Sequence, residues 1–176
     1  MPKYVAFLRG INVSAQKLIK MQDLREHFAM PGLRNISTYI QSGNVLFESN
    51  EERADMLVTK IEKQLAKKLG YTVPVIVRSK EELEAILLRE PFGEITDGRG
   101  LYVTMLSGEP AGDMQQVLDA YTNEAEEARI VHREVYLLAK SYGNTKLNNN
   151  LIEKKLKLSA TTRNWATMNK LVALLT

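Results

Sequence analysis

Two periods of apolar spacing alternate along this chain, and each change of period marks an element. Tyr4 to Leu8 is a continuous apolar run, the pattern of a strand covered on both faces. A polar loop follows from Gly10 to Lys17. Leu18, Met21, Leu24, Arg25 and Phe28 then keep helical spacing until Pro31-Gly32 stops the helix. Ile36 to Ile40 and Val45 to Phe47 read as strands. Gln41-Ser42-Gly43-Asn44 between them has hairpin-turn chemistry, because Gly and Asn tolerate positive φ. Ser49 with Glu52 forms a capping box for a long helix. Its apolar stripe is Ala54, Leu57, Val58, Ile61, Leu65 and Leu69, and Lys60, Lys63, Lys67 and Lys68 make a solvated face off it. Gly70 ends this helix. Val73 to Val77 is the next strand, and Pro74 marks it as an edge or a strand start. The order strand, helix, strand, strand, helix, strand is the ferredoxin-like plan.

The plan then returns. Ser79 and Glu82 cap a helix carrying Leu83, Ile86 and Leu87, and Pro91 to Gly100 reads as a linker. Tyr4-Val5-Ala6-Phe7-Leu8-Arg9-Gly10 reappears 98 positions later as Tyr102-Val103-Thr104-Met105-Leu106-Ser107-Gly108, with Tyr, Val, Leu and Gly at matching places. A strand over 101–106 precedes a helix from about Gly112, with Met114, Val117, Leu118 and Tyr121 on one face. Ala128 to Val131 and Val135 to Ala139 pair across His132-Arg133-Glu134. Asn150 and Glu153 cap a helix with Leu151, Ile152 and Leu156. The last helix places Trp165, Met168, Leu171, Val172 and Leu175 on one face, so it is expected to dock with Trp165 in the core. The second copy reads strand, helix, strand, strand, helix and then ends in a helix. The expected fold is α+β, with duplicated ferredoxin-like βαββα units forming two related lobes. Residues 1–90 make the first lobe, 91–100 the linker, and 101–176 the second lobe with its C-terminal helices.

Composition narrows the chemistry. At 176 residues and 44% hydrophobic content the chain can bury a substantial core. The net charge of +3 suits an anionic partner but falls far short of a dedicated nucleic-acid binder. The absence of cysteine excludes disulfides, thiolate nucleophiles and thiolate-bound metals. His27 and His132 are too few for a His-rich metal site. No phosphate-loop or nucleophile-elbow pattern occurs. No metal or cofactor is expected, and no catalytic residue is named. The apolar run at Tyr4 stops at Arg9-Gly10, short of a signal-peptide core. No stretch approaches the roughly 20 apolar residues that span a bilayer. A cytosolic protein without a membrane partner is the expectation.

Three polar segments sit where packing does not require them. Arg9-Gly10-Ile11-Asn12 follows a buried strand, where ligands often bind. Arg9 offers a fixed fork of donors for phosphate or carboxylate, Gly10 admits a close backbone approach, and Asn12 adds an amide. The plainer reading is a tight turn. Gln41, Ser42 and Asn44 place two amides and a hydroxyl on the hairpin, and turn chemistry alone is the plainer account. Thr161-Thr162-Arg163-Asn164 begins the last helix, with threonine as N-cap and Arg163 completing a weak anion site at the helix end. Capping alone is the plainer account there. Lys146-Leu147-Asn148-Asn149-Asn150 reads as loop and cap.

Together these segments point to an inter-lobe cleft for a small anionic ligand, a nucleotide or phosphorylated metabolite. Arg9 and Arg163 would supply charge, and Asn12, Gln41, Asn44 and Asn164 orientation. Two alternatives are a nucleic-acid-binding module and a protein-interaction domain without a small ligand. Against the first, the strands lack the interleaved exposed aromatic and basic residues that stack single strands.

Phe7-Leu8-Arg9-Gly10-Ile11-Asn12-Val13, Thr38-Tyr39-Ile40-Gln41-Ser42-Gly43-Asn44-Val45 and Thr161-Thr162-Arg163-Asn164-Trp165 resemble the signatures of domain-of-unknown-function family 1697. Lys146-Leu147 and Glu153-Lys154-Lys155-Leu156 fit the same pattern, and the resemblance spans nearly the whole chain. It implies a small, mostly bacterial, cytosolic protein with a duplicated α+β fold. It implies no activity, substrate or catalytic residue. The chain departs from the pattern after Asn12-Val13, where Ser14-Ala15-Gln16 replaces further glycine and weakens a glycine-rich phosphate cradle.

Overall fold

A computed structural model describes residues 1–13 and 17–176. Ser14-Ala15-Gln16, and the glycine-poor loop read there, lie outside the described residues. The chain divides into two compact units, Met1–Leu83 with Leu171–Thr176, and Glu84–Lys170.

The first unit runs β1 (Lys3–Leu8), α1 (Met21–His27), β2 (Arg34–Tyr39), β3 (Asn44–Glu48), α2 (Ala54–Leu69) and β4 (Val75–Ser79). Its four strands form one antiparallel sheet in the order β2-β3-β1-β4. Alternate strand residues, Tyr4, Ala6, Leu8, Val45, Phe47, Val75 and Val77, join Leu24, Phe28, Leu57, Ile61 and Leu65 of the helical side in one apolar core. The intervening residues Val5, Phe7, Leu46 and Ile76 are buried too. Both faces of the sheet are therefore covered, which explains why β1 reads as a continuous apolar run. The Tyr4 and Phe47 rings stack with centroids 5.6 Å apart. One of the two edge strands, β2, is irregular. Its register on β3 shifts between Arg34 and Ser37, Asn35 is left-handed at φ 50°, and its amide donates to Glu48 Oε2 at 2.8 Å.

One boundary between the units falls within α3 (Lys80–Leu88), and the other between Lys170 and Leu171. After α3 follow β5 (Gly100–Leu106), α4 (Met114–Asp119), β6 (Glu127–Val131), β7 (Glu134–Ala139), α5 (Asn149–Leu156), β8 (Ala160–Asn164) and α6 (Trp165–Leu175). The second sheet is antiparallel in the order β6-β7-β5-β8. Leu106, Ala128, Val135, Leu137, Ala139 and Ala160 share a core with Leu118 of α4 and Ile152 and Leu156 of α5. Val103, Met105, Tyr136 and Leu138, on the alternate positions, are buried as well. Among the described residues no helix is long and apolar enough to cross a membrane.

The main correction to the sequence reading is β8. The second copy does not pass straight into a helix, because Ala160 to Asn164 pairs with β5 from Leu106 back to Tyr102. Each unit is thus βαββαβ in order, not βαββα. Thr161 and Thr162 cap no helix. Thr162 instead shares a cross-strand hydrogen bond with Thr104, 2.7 Å between hydroxyls, which lets a polar strand sit in a covered sheet.

The cap of α6 is Asn164, whose Oδ1 accepts from Thr167 N at 2.8 Å. At α3 the expected capping box forms, with Glu82 N donating to Ser79 Oγ and Ser79 N to Glu82 Oε2. At α2 it does not. That helix starts later, and Ser49 Oγ accepts from Glu51 N in a tight local turn. Asn148, not Asn150, caps α5. Leu18 lies before α1 and is exposed. Ile40 falls in the turn, one residue past β2. Trp165 is only half-buried, while Met168, Leu171 and Leu175 take the core positions of α6.

Candidate functional site

The end of β1 shares one end of the first sheet with the β2–β3 turn and the start of β4. Phe7 pairs with Asn44 and Leu8 with Val75. Leu8 N donates to Gly43 O, and Arg9 N to Pro74 O, both at 2.9 Å. Residues 9–13, 17–20, 40–43 and 71–74 therefore approach one another.

Two residues fix this arrangement. Gly43 has φ 84°, and a Cβ there would lie 2.8 Å from Ile11 Cδ1 and 3.0 Å from Leu8 Cβ, so no larger residue fits the turn. Asn12, itself left-handed at φ 54°, uses its whole amide. Nδ2 donates to Gln41 O at 2.8 Å and Ile19 O at 3.2 Å, and Oδ1 accepts from Ile19 N at 2.7 Å. The loop after β1 is thereby closed on itself and hooked to the hairpin. Asn44 is fully buried, and its amide donates to Tyr39 O at 2.9 Å and Ser42 Oγ at 3.0 Å. Asn12, Ser42 and Asn44 hold the loops in place.

The outward-facing chemistry is different. Arg9 is half-buried and the Gln41 side chain is exposed. Gly10 has φ 74° and nothing within 4 Å of where a Cβ would stand, so another molecule can reach its backbone. Lys17 and Lys20 are exposed, and the Lys17 ammonium stands 5.0 Å over the Tyr71 ring. These four segments contain Arg9, Lys17 and Lys20 and no carboxylate. The nearby Glu62 of α2 has Oε1 engaged by Val75 N at 2.9 Å. Of six left-handed non-glycine residues among the described residues, Asn12, Lys17 and Ile40 are all here. The β-branched Ile40 at φ 52° is the most strained of these.

Thr162, Arg163 and Asn164 belong to the second unit, near the C-terminal end of β8. Thr162 Oγ1 joins a polar network, donating to Asn149 Oδ1 at 2.7 Å and accepting from the Tyr142 hydroxyl at 3.2 Å. Arg163 is buried, and its Nη1 donates to Thr161 Oγ1 at 2.7 Å and Thr162 O at 2.9 Å. Burial pushes its guanidinium down to about 10. The structure thus gathers Arg9, Asn12, Gln41, Ser42 and Asn44 at one sheet end, and sets Thr162, Arg163 and Asn164 along one strand of the other unit.

Sequence reasoning passed over Lys17, Lys20 and Tyr71. The readable signal was the lack of any acid in these loops. It also passed over Arg78, which is buried in β4 opposite Val5 as Arg163 is in β8 opposite Val103. The histidines are ordinary. His27 is half-buried, and His132 lies at the surface with Nδ1 3.8 Å from Glu109 Oε1.

Comparison with known proteins gives the fold and the family. The conserved bacterial protein SP0830 from Streptococcus pneumoniae is similar in structure over 99% of each chain, with a TM-score of 0.78 and 24% identity. At that identity the likeness speaks for the fold alone. No curated protein matches the sequence. A family model does, over residues 1–136, covering β1 through the first half of β7 with the Arg9–Asn12 and Gln41–Asn44 loops inside it. The chain belongs to the family described as Protein of unknown function (DUF1697).

Proposed function

We propose that this is a binding protein of two ferredoxin-like units related by duplication, and that the loop end of the first unit takes a small anionic ligand, a nucleotide or phosphorylated metabolite. The duplication is supported by the common βαββαβ order and by the matching strand orders β2-β3-β1-β4 and β6-β7-β5-β8. Matching hydrogen bonds add to this. Leu8 N to Gly43 O corresponds to Leu106 N to Arg133 O, and Arg9 N to Pro74 O corresponds to Ser107 N to Ser159 O. The donors are related by the 98-residue offset of the sequence repeat.

The observation that carries the ligand reading is the charge of these loops, three cations and no carboxylate, held in a strained, amide-stapled frame. Strain of this kind collects where a site must be held ready. Lys17 and Lys20 supply charge, with Arg9 at the base. Gln41 and the backbone beside Gly10 orient the ligand, and Asn12, Ser42 and Asn44 keep the frame. The unit's second reading, a protein-interaction surface, rests on exposed apolar residues in the same loops, Val13 at 57%, Leu18 at 70% and Ile40 at 46%.

A ligand that binds only the folded state raises its melting temperature. Nucleoside triphosphates and sugar phosphates should raise Tm, and the rise should vanish in the Lys17→Ala/Lys20→Ala double variant with its circular dichroism unchanged. A Tm that no such compound moves at millimolar concentration would defeat the anion reading and leave the interaction surface. A rise given only by oligonucleotides, and steeply lost with salt, would favour nucleic acid instead.

A further inference from the structure

A cavity of about 270 Å³ opens elsewhere on the first unit, between the start of β2, the chain after β3 and the first turns of α2. Its lining includes Arg34, Ser49, Asn50, Met56, Leu57 and Lys60. The floor is apolar, formed by buried Leu57 and by Met56, which is still 47% exposed. Methionine is a flexible wall that adapts to aliphatic shapes. On one side Ser49 and Glu51 each already make a hydrogen bond, and the Glu51 carboxylate also lines the cavity. Ser49 Oγ accepts from Glu51 N, and the Glu51 carboxylate accepts from Arg53 N at 2.9 Å.

Two cations flank the floor. Lys60 Nζ donates to Pro31 O and keeps further donors. Arg34 is exposed at the first residue of β2, and no partner for its guanidinium is found among the described residues. An apolar floor with cations at its rim rewards a molecule with an aliphatic body and one negative head. The volume equals about nine waters at roughly 30 Å³ each, which suits a short chain and not a long lipid.

We infer that this cavity is a second binding site, for a short aliphatic monocarboxylate, with Arg34 and Lys60 on the carboxylate and Met56 and Leu57 against the chain. The site is separate from the loop end proposed above and does not depend on that reading.

Titrating the full chain with hexanoate, followed by 15N–1H correlation spectra, tests it. Hexanoate should give saturable shifts at residues 49–60, while acetate and hexanol bind at least about tenfold more weakly, each lacking one half of the recognition. Arg34→Gln and Lys60→Met should each weaken hexanoate about tenfold or more, as loss of a charge-assisted hydrogen bond does. Met56→Trp, at an exposed position, should fill the cavity and abolish the shifts while leaving the spectrum dispersed. Lys17→Ala/Lys20→Ala should leave them untouched. The assignment is overturned by an absence of saturable shifts, by hexanol binding as well as hexanoate, or by shifts that survive Met56→Trp.

Discussion

Gly43 concentrates the demands of the first unit on one residue. Its left-handed backbone and the 2.8 Å approach of Ile11 to the position of a Cβ act together. Gly43→Ala should therefore cost on the order of 1–3 kcal/mol, the range of a backbone strain at an over-determined site, read as a lower midpoint in urea unfolding. Asn12 is the neighbouring case. Its three side-chain hydrogen bonds include a donated and an accepted bond to Ile19. Asn12→Ala leaves Ile19 N and O without those partners and should cost about 1–3 kcal/mol. The same variant should speed amide exchange at Ile19, as the loop loses its tie to the hairpin. Asn12→Ala exchange rates equal to those of the parent protein would show that the loop is held by something else.

At the scale of elements, Ser79 and Asn164 occupy equivalent places. Each pairs with the tyrosine near the start of its unit's first strand, Tyr4 or Tyr102, and each caps the helix that follows. Ser79→Ala and Asn164→Ala should each cost about 1 kcal/mol, measurable by denaturant unfolding. Trp165→Ala should cost less than the roughly 3 kcal/mol of a fully buried aromatic, because Trp165 is only half-buried.

These positions also show what the sequence could and could not convey. The apolar runs of β1, β3, β4, β5 and β7 are legible because burial on both faces demands apolar residues at both parities. The reading of Ala160-Thr161-Thr162-Arg163-Asn164 as a cap failed for the converse reason. This strand satisfies its polar side chains through Thr104, Asn149, Tyr142 and its own backbone, and no local periodicity reports partners so distant in the chain. The repeat itself asked for a final strand, and Arg78-Ser79 before α3 had already displayed the pattern that Arg163-Asn164 repeats before α6. The candidate site was legible by half. Arg9 and Gln41 stood out as polar residues at element ends, but that Asn12 and Asn44 face inward depends on turn geometry, which side-chain identity does not encode.

At the scale of the whole molecule, stability should depend on alkaline pH through Tyr136. Its hydroxyl donates to Ile86 O at 2.6 Å. Burial, with the Glu134 charge adding to it, raises its pKa above the ordinary tyrosine value. The folded pKa lies above the unfolded one, so this contribution is complete below about pH 10 and is lost as unfolded chains ionise above it. Arg163 works in the opposite sense, since burial lowers its folded value to about 10, below the ordinary guanidinium range. A comparison that leaves Arg163 in place isolates the tyrosine. Tyr136→Phe should be less stable at neutral pH, and its stability should fall less steeply than that of the parent protein between about pH 9 and pH 11 in urea titrations.

The irregular outer strand β2 has a bearing on how many copies of the chain behave together. A long, flat edge strand offers unpaired backbone groups to another molecule and seeds aggregation. The bulge between Arg34 and Ser37 and the left-handed Asn35 break that template. Asn35→Val favours extended backbone and removes the kink, so it should convert β2 into an open zipper edge. Concentrated solutions of the variant should then scatter more light on standing, and bind more thioflavin, than those of the parent protein.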